Sequence, residues 1–217
     1  MAIELGANPF ILIILTLFEV LFIIIPNFIS SKIEKSTFKE ELIELGFKNK
    51  NDTFFRLALK YFLGILIGII LFIIANFILS FFKEILITNL FGKEFVEIGN
   101  ENIINTNPVN PSFLEIFIII ILQLIVVGPC EEGFFRGYII RKCNKKIHLS
   151  LATIFSSICF AFYHVPPLIV PIYTIITFFG YYFLIGIFLS SLYILFNFSL
   201  IPSVATHSIF NILTLIL

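Results

Sequence analysis

The stretch FLEIFIIIILQLIVV at positions 113–127 runs without a break into GPCEEGFFRGYIIRKC at 128–143. Its first part is apolar on every side, which suits hydrocarbon better than the one-sided face of a water-soluble helix. Alone it is short of the roughly 20 residues a bilayer crossing needs. Helical patterning continues, however, through Phe134, Phe135, Tyr138 and Ile139, so the reading is a span with a helical extension to about residue 143.

Working outward, five further apolar runs occupy residues 9–28, 57–82, 149–165, 168–196 and 200–217. The expected fold is therefore all-α, a polytopic membrane helical bundle of about six transmembrane helices with a catalytic site inside it. The composition agrees. Of 217 residues 59 % are hydrophobic and 13 % charged, with 14 Lys+Arg against 14 Asp+Glu. Soluble domains are about 45–50 % apolar and about 25 % charged, so a soluble enzyme, a disordered chain and a nucleic-acid binder are all excluded. Cys130, Cys143 and Cys159 show no CxxC spacing and read as small buried thiols. The N-terminal run lacks a basic leader and is too long for a signal peptide, so it reads as a retained anchor.

Charges assign the sides. Seven of the 14 Lys and Arg lie from Lys32 to Lys60 and five from Arg136 to Lys146, whereas only Lys83 and Lys93 fall in the remaining large loop. The positive-inside rule then puts residues 31–56 and 142–148 in the cytoplasm, residues 83–112 outside, and both termini outside a cell membrane. Residues 31–56 read as an interfacial amphipathic helix and 83–112 as an irregular loop. Two parts are expected, N-terminal spans with their cytoplasmic segment (1–112) and a catalytic helical core (113–217).

Ionisable groups within spans cost about 2.5–3.5 kcal/mol each on insertion scales, which makes each a functional candidate. Lys60 and Glu115 sit near span ends and stay wet. Glu19 lies mid-span and reads as an interhelical hydrogen-bond partner. In the segment 128–137, Pro129 lacks an N–H and predicts a kink just before the acids. Glu132 and Arg136 are one turn apart and predict a pair, while Glu131 is turned about 100° away with no matching cation. Gly133 with Gly137, and Gly64 with Gly68, predict close helix contacts. His164 closes one span, and His207 and Asn211 share one face of the last. A rise of about 1.5 Å per residue from the cytoplasmic turns places Glu131 about 21 Å deep, His164 about 27 Å and His207 about 12 Å, depths that with helix tilts and the Pro129 kink permit one shared site.

Elimination narrows the chemistry. The single Asp, Asp52, excludes an aspartyl dyad, and neither an HExxH zinc pattern nor a GxSG-type serine motif occurs. A carboxylate and an imidazole can together deprotonate water, and a second imidazole with an amide can donate to an oxyanion. That set suffices for peptide hydrolysis.

The three groups match, in order, Glu131-Glu132-x-x-x-Arg136, Phe160-x-x-x-His164 and His207-x-x-x-Asn211. In this the sequence resembles the CPBP intramembrane proteases, the family of CAAX prenyl endopeptidases type II and bacteriocin-processing (Abi) proteins, over about residues 113–217. The resemblance implies an endopeptidase cutting near the C-terminus of a prenylated or membrane-anchored protein, with membrane lipid as its surroundings. It implies that Glu131 and His164 activate water, that His207 and Asn211 form the oxyanion hole, and that Glu132 and Arg136 support the site. No cofactor is required on the metal-free reading; on the metalloprotease reading zinc would sit on Glu131, His164 and His207. The alternative function within the family is a non-proteolytic bacteriocin self-immunity or scaffold protein.

Overall fold

A computed structural model describes residues 3–47, 52–106 and 108–217. Eight helices account for most of them. They are α1 (Phe10–Glu34), α2 (Phe38–Glu44), α3 (Phe54–Phe91), α4 (Lys93–Glu101), α5 (Phe113–Asn144), α6 (Leu149–His164), α7 (Ile172–Leu195) and α8 (Leu200–Ile216). Helices α1, α3, α5 and α7 are long and apolar enough to cross a membrane, and α6 and α8 are shorter apolar helices. The fold is an all-α membrane helical bundle. Large apolar side chains such as Phe54, Ile70, Phe77 and Phe113 face outward, a surface that water would not tolerate and lipid would.

Local chemistry sets the helix starts. Asn8 caps α1 by accepting from Phe10 N–H at 3.0 Å. Thr37 with Glu40 and Ser112 with Glu115 form reciprocal capping boxes at α2 and α5. Glu115 is thereby a capping group at a span end, in keeping with its expected wet position. Lys60 likewise pairs with Asp52 at 2.8 Å.

The segment 83–112 is not an irregular loop. Helix α3 continues through Lys83 and Glu84 to Phe91 and ends only where Gly92 adopts φ 90°. Lys83 is accommodated because its ammonium lies over the Phe178 ring, 5.3 Å from the centroid. Helix α4 follows, burying Val96 and Gly99, and the Gly99 carbonyl accepts from Thr174 of α7 at 2.9 Å. A short helix with so narrow an apolar face leaves no mark on a hydropathy scan. Beyond it, β2 (Ile104–Asn105) pairs in parallel with β1 (Ile3–Glu4), and the Val109 amide donates to the Gly6 carbonyl.

The segment 31–56 also departs from expectation. Residues 48–51 of it lie outside the described residues; among the others the helix lying wholly within the segment is α2, and Leu42, Leu45 and Phe47 pack inward with Ile140, Tyr193 and Leu200. An ionic cluster holds this segment to the C-terminal end of α5. Glu41, almost fully buried, accepts from Ser36 at 2.6 Å, Arg141 at 2.8 Å and Lys142 at 2.9 Å. Glu34 pairs with Lys142 and Lys145, and Glu44 with Arg141.

Close helix approach follows the small residues. A Cβ at Gly64 would lie 2.7 Å from both the Pro202 carbonyl and the Ala205 Cβ of α8, so only glycine allows that contact. Thr206 completes it by donating to the Gly64 carbonyl at 3.0 Å. The α7–α8 turn places Asn197 and Phe198 in left-handed conformations and seats the Leu200 amide on the Gly46 carbonyl at 2.9 Å. Ser199 and Leu200 are fully buried, so α8 begins inside the bundle.

Candidate active site

Helix α5 carries three of the candidate residues on a backbone that departs from α geometry on both sides of them. Residues Gln123–Val127 and Gly133–Ile140 wind as wider π turns, with a short α segment, Gly128–Glu132, between. Pro129 accounts for the first departure, because it cannot donate to the carbonyl four residues back and its ring crowds that carbonyl. The predicted kink is thus a π turn, a deformation common at functional sites.

Glu132 is fully buried and stands at the centre. Its Oε1 accepts from Arg136 Nη1 at 2.9 Å and lies 2.8 Å from His207 Nδ1. A carboxylate oxygen accepts, so Nδ1 is the donor. Arg136, also fully buried, extends Nη2 to the Gly186 carbonyl of α7 at 3.1 Å and holds its guanidinium 4.5 Å from the Phe160 ring centroid. One arginine therefore joins α5, α6 and α7. Glu131 is buried beside it, with Oε2 3.8 Å from His207 Nε2 and no hydrogen-bond partner for that oxygen among the described residues. His207 thus sits between the two glutamates, one ring nitrogen toward each. The estimated depths put it about 9 Å away from Glu131 along the membrane normal. The difference arises because α8 starts inside the protein and not at its surface.

His164 is held from its own helix. Its Nδ1 lies 3.0 Å from the Phe160 carbonyl, which can only accept, so Nδ1 carries the hydrogen and a neutral ring keeps a free lone pair on Nε2. The ring stacks on Tyr182 at 4.5 Å and packs on Phe160 at 4.4 Å. Phe160 also meets the His207 ring at 5.9 Å, so one aromatic wall serves both histidines and the arginine. The carbonyl one turn back fixes the tautomer, as it would from any residue at 160, and what Phe160 itself adds is the ring that both histidines and Arg136 pack on.

Asn211 does share a helix face with His207, and both reach α5. Its amide donates to Gln123 Oε1 at 2.9 Å, while Ser208 donates to the Gln123 backbone carbonyl at 2.9 Å. Gln123 was not among the sequence candidates. It was visible as an amide alone within an apolar run, but a search confined to ionisable groups passes over it. Glu19 is the interhelical partner anticipated for it, accepting from the Tyr163 hydroxyl at 3.4 Å.

Among the described residues no three His, Cys, Asp or Glu side chains converge as metal ligands. Glu131, His164 and His207 are not gathered into such a group, although each ring is held through Nδ1, His207 by Glu132 and His164 by Phe160, in the way a metal-bound imidazole is also oriented. The carboxylates, imidazoles and amides instead form a chain of donors and acceptors suited to moving a proton and stabilising charge.

Residues 113–213 match the family model described as Type II CAAX prenyl endopeptidase Rce1-like. No curated protein and no solved structure matches the chain.

Proposed function

Because residues 113–213 match the Rce1-like type II CAAX prenyl endopeptidase family model, we propose that Glu131 and His164 activate a water for cleavage near the C-terminus of a prenylated or membrane-anchored protein. The family makes a CAAX-type intramembrane protease the kind of activity; the residues and the mechanism are our reading. The observation that carries it is the uneven charge of one buried cluster. Glu131 and Glu132 face a single Arg136, and the carboxylate oxygen of Glu131 turned toward His207 has no hydrogen-bond partner among the described residues.

Two carboxylates and one guanidinium leave one negative charge in a region from which water is largely excluded, and one bound proton neutralises it. Taking a proton from water is then favoured by the surroundings themselves. Glu131 receives it as general base, and the free Nε2 of His164 orients the same water. Asn211 offers its second amide hydrogen to the developing oxyanion, and His207, its Nδ1–H directed to Glu132, lines the same position from the next turn of α8. Returning the proton to the leaving amine completes hydrolysis with no covalent intermediate. No metal takes part in these steps.

The same reading extends to topology. Helix α1, 25 residues and about 37 Å long, separates the β1–β2 pair from the Glu41 cluster. With the Lys- and Arg-rich cluster in the cytoplasm, six crossings put both termini outside, α6 and α8 serving as short crossings. The active form is a cell-membrane protein with lipid as its medium.

The test is cleavage of a lipidated C-terminal reporter peptide by the purified chain. Glu131→Gln and His164→Ala should each lower kcat by about 100-fold or more, with the unfolding temperature unchanged. A chelator should leave the wild-type rate intact. Full activity in either variant overturns the assignment, and loss of activity restored by zinc overturns the metal-free mechanism.

A further inference from the structure

Glu19 has no part in the hydrolysis described above, yet a carboxylate within an apolar span is retained only for a reason. Three features coincide at it. The backbone of α1 tightens there to bonds of the i→i+3 type, Glu19 N–H to Thr16 O at 3.1 Å, Val20 N–H to Leu17 O at 3.2 Å and Phe22 N–H to Glu19 O at 2.9 Å. Such a break within a long helix is a natural hinge. The outer half, Pro9–Phe18, exposes most of its apolar side chains and buries Leu12 alone among its described ones, whereas the inner half, Leu21–Glu34, ends in the ionic cluster. The outer half is thus the less firmly held of the two.

The third feature is the contact itself. Glu19 Oε1 accepts from Tyr163, the residue before His164, and the Tyr163 ring meets His164 edge-on at 5.2 Å. Phe22, just past the hinge, packs against Tyr163 at 5.2 Å and stacks on Phe134 at 5.2 Å. The second Glu19 oxygen is buried with no hydrogen-bond partner among the described residues. A carboxyl group thus meets α6 through one long hydrogen bond beside the candidate site, at the point where α1 can bend.

We propose that Glu19 and Tyr163 form a latch between α1 and α6 that controls lateral entry of membrane-borne substrate, and so determines selectivity for lipidated over soluble peptides. The latch rests on the protease reading for its function but not for its motion. Phe22 remains on α5 when the bond breaks, so only the outer half of α1 swings.

The experiment uses Tyr163→Phe, which removes the donor and keeps the ring, in the full chain in liposomes. Two peptides with the same scissile sequence are compared, one lipidated and one not. An interhelical hydrogen bond in a bilayer biases an open–closed equilibrium by about threefold. The expected result is a fall of about threefold in KM for the lipidated peptide alone, with kcat and the soluble peptide unchanged. Glu19→Leu should act in the same direction, and Glu19→Gln, which keeps an acceptor, should restore the wild-type ratio. Equal changes on both peptides, or a change in kcat alone, overturn the latch in favour of packing.

A second measurement stands apart from activity. Spin labels at Ile14→Cys and Leu168→Cys, with Cys130, Cys143 and Cys159 replaced by Ala, report the separation of the outer half of α1 from the turn that follows α6. Tyr163→Phe should add a longer-distance population. An unaltered distribution overturns the latch even if cleavage is observed, and a shifted distribution in a chain that cleaves neither peptide upholds the latch while defeating the protease reading.

Discussion

Two ionic clusters share helix α5, and they are built on opposite principles. At its C-terminal end, Glu34, Glu41 and Glu44 meet Arg141, Lys142 and Lys145, so that every carboxylate has at least one cation. Deeper, Glu131 and Glu132 have one Arg136 between them, and Arg136 Nε and one oxygen of each acid lack hydrogen-bond partners among the described residues. The first cluster balances three carboxylates with three cations, Arg141 Nε alone of its buried polar atoms lacking a partner among the described residues, and fastens α2 to α5. The second has one cation for two carboxyl groups, in a place where a charge is most costly. Saturation marks a clamp; the deficit is what the proposed proton transfer would draw on.

The sharpest way to break this contrast is to remove one arginine from each cluster. Arg136→Met strands Glu132 in a fully buried position and should lower stability by about 3–5 kcal/mol. Lys at position 136 should not rescue it, because one ammonium cannot reproduce the planar fork that reaches both Glu132 and Gly186. Arg141→Met leaves Glu41 with Ser36 and Lys142 and should cost about 1 kcal/mol or less. Thermal unfolding in one detergent measures both, and equal losses would erase the distinction.

Acid should separate the clusters next. Burial works against the charge of Glu41, but hydrogen bonds from Ser36, Lys142 and Arg141 outweigh it and hold the carboxyl at about 2, below its ordinary 4.5. A depressed folded-state pKa contributes stability that is complete above about pH 4.5 and is lost as pH falls toward 2. For a shift of this size the loss is about 3 kcal/mol. Unfolding followed from pH 6 to pH 2.5 should show this loss in the wild type. In Glu41→Gln the slope should be shallower, and an unchanged slope would remove Glu41 from the account.

Much of this was legible in the sequence because it is local. Pro129, the Glu132–Arg136 turn and the Phe160–His164 spacing each act within a few residues, and their structural outcomes follow from helix geometry. Helix α4 was not legible, since its apolar face is short and its partner Thr174 is distant in sequence. The clamp on Glu41 was read only as charge that sets topology, because nothing local says that Glu41 and Arg141 meet. Counting residues permits His207 to share a site with Glu131 but leaves an offset that only the packing of α8 removes. A count from the chain turn assumes that helices start at the membrane surface, and α8 starts on Gly46 inside the bundle.

The smallest expected effect tests whether the deep cluster extends to Gln123. Its Oε1 fixes the Asn211 amide, and its backbone carbonyl holds Ser208, the neighbour of His207. If Asn211 donates to the oxyanion, its amide must point the same way before and during reaction, and Gln123 is what orients it. Gln123→Met keeps the length and loses the acceptor, so kcat should fall about fivefold to tenfold with KM unchanged, the size of one neutral hydrogen bond. Gln123→Glu restores an acceptor and should recover part of the rate. Because the effect passes through Asn211, Gln123→Met added to Asn211→Ala should cost nothing further, whereas independent losses that multiply would show that Gln123 acts by packing alone.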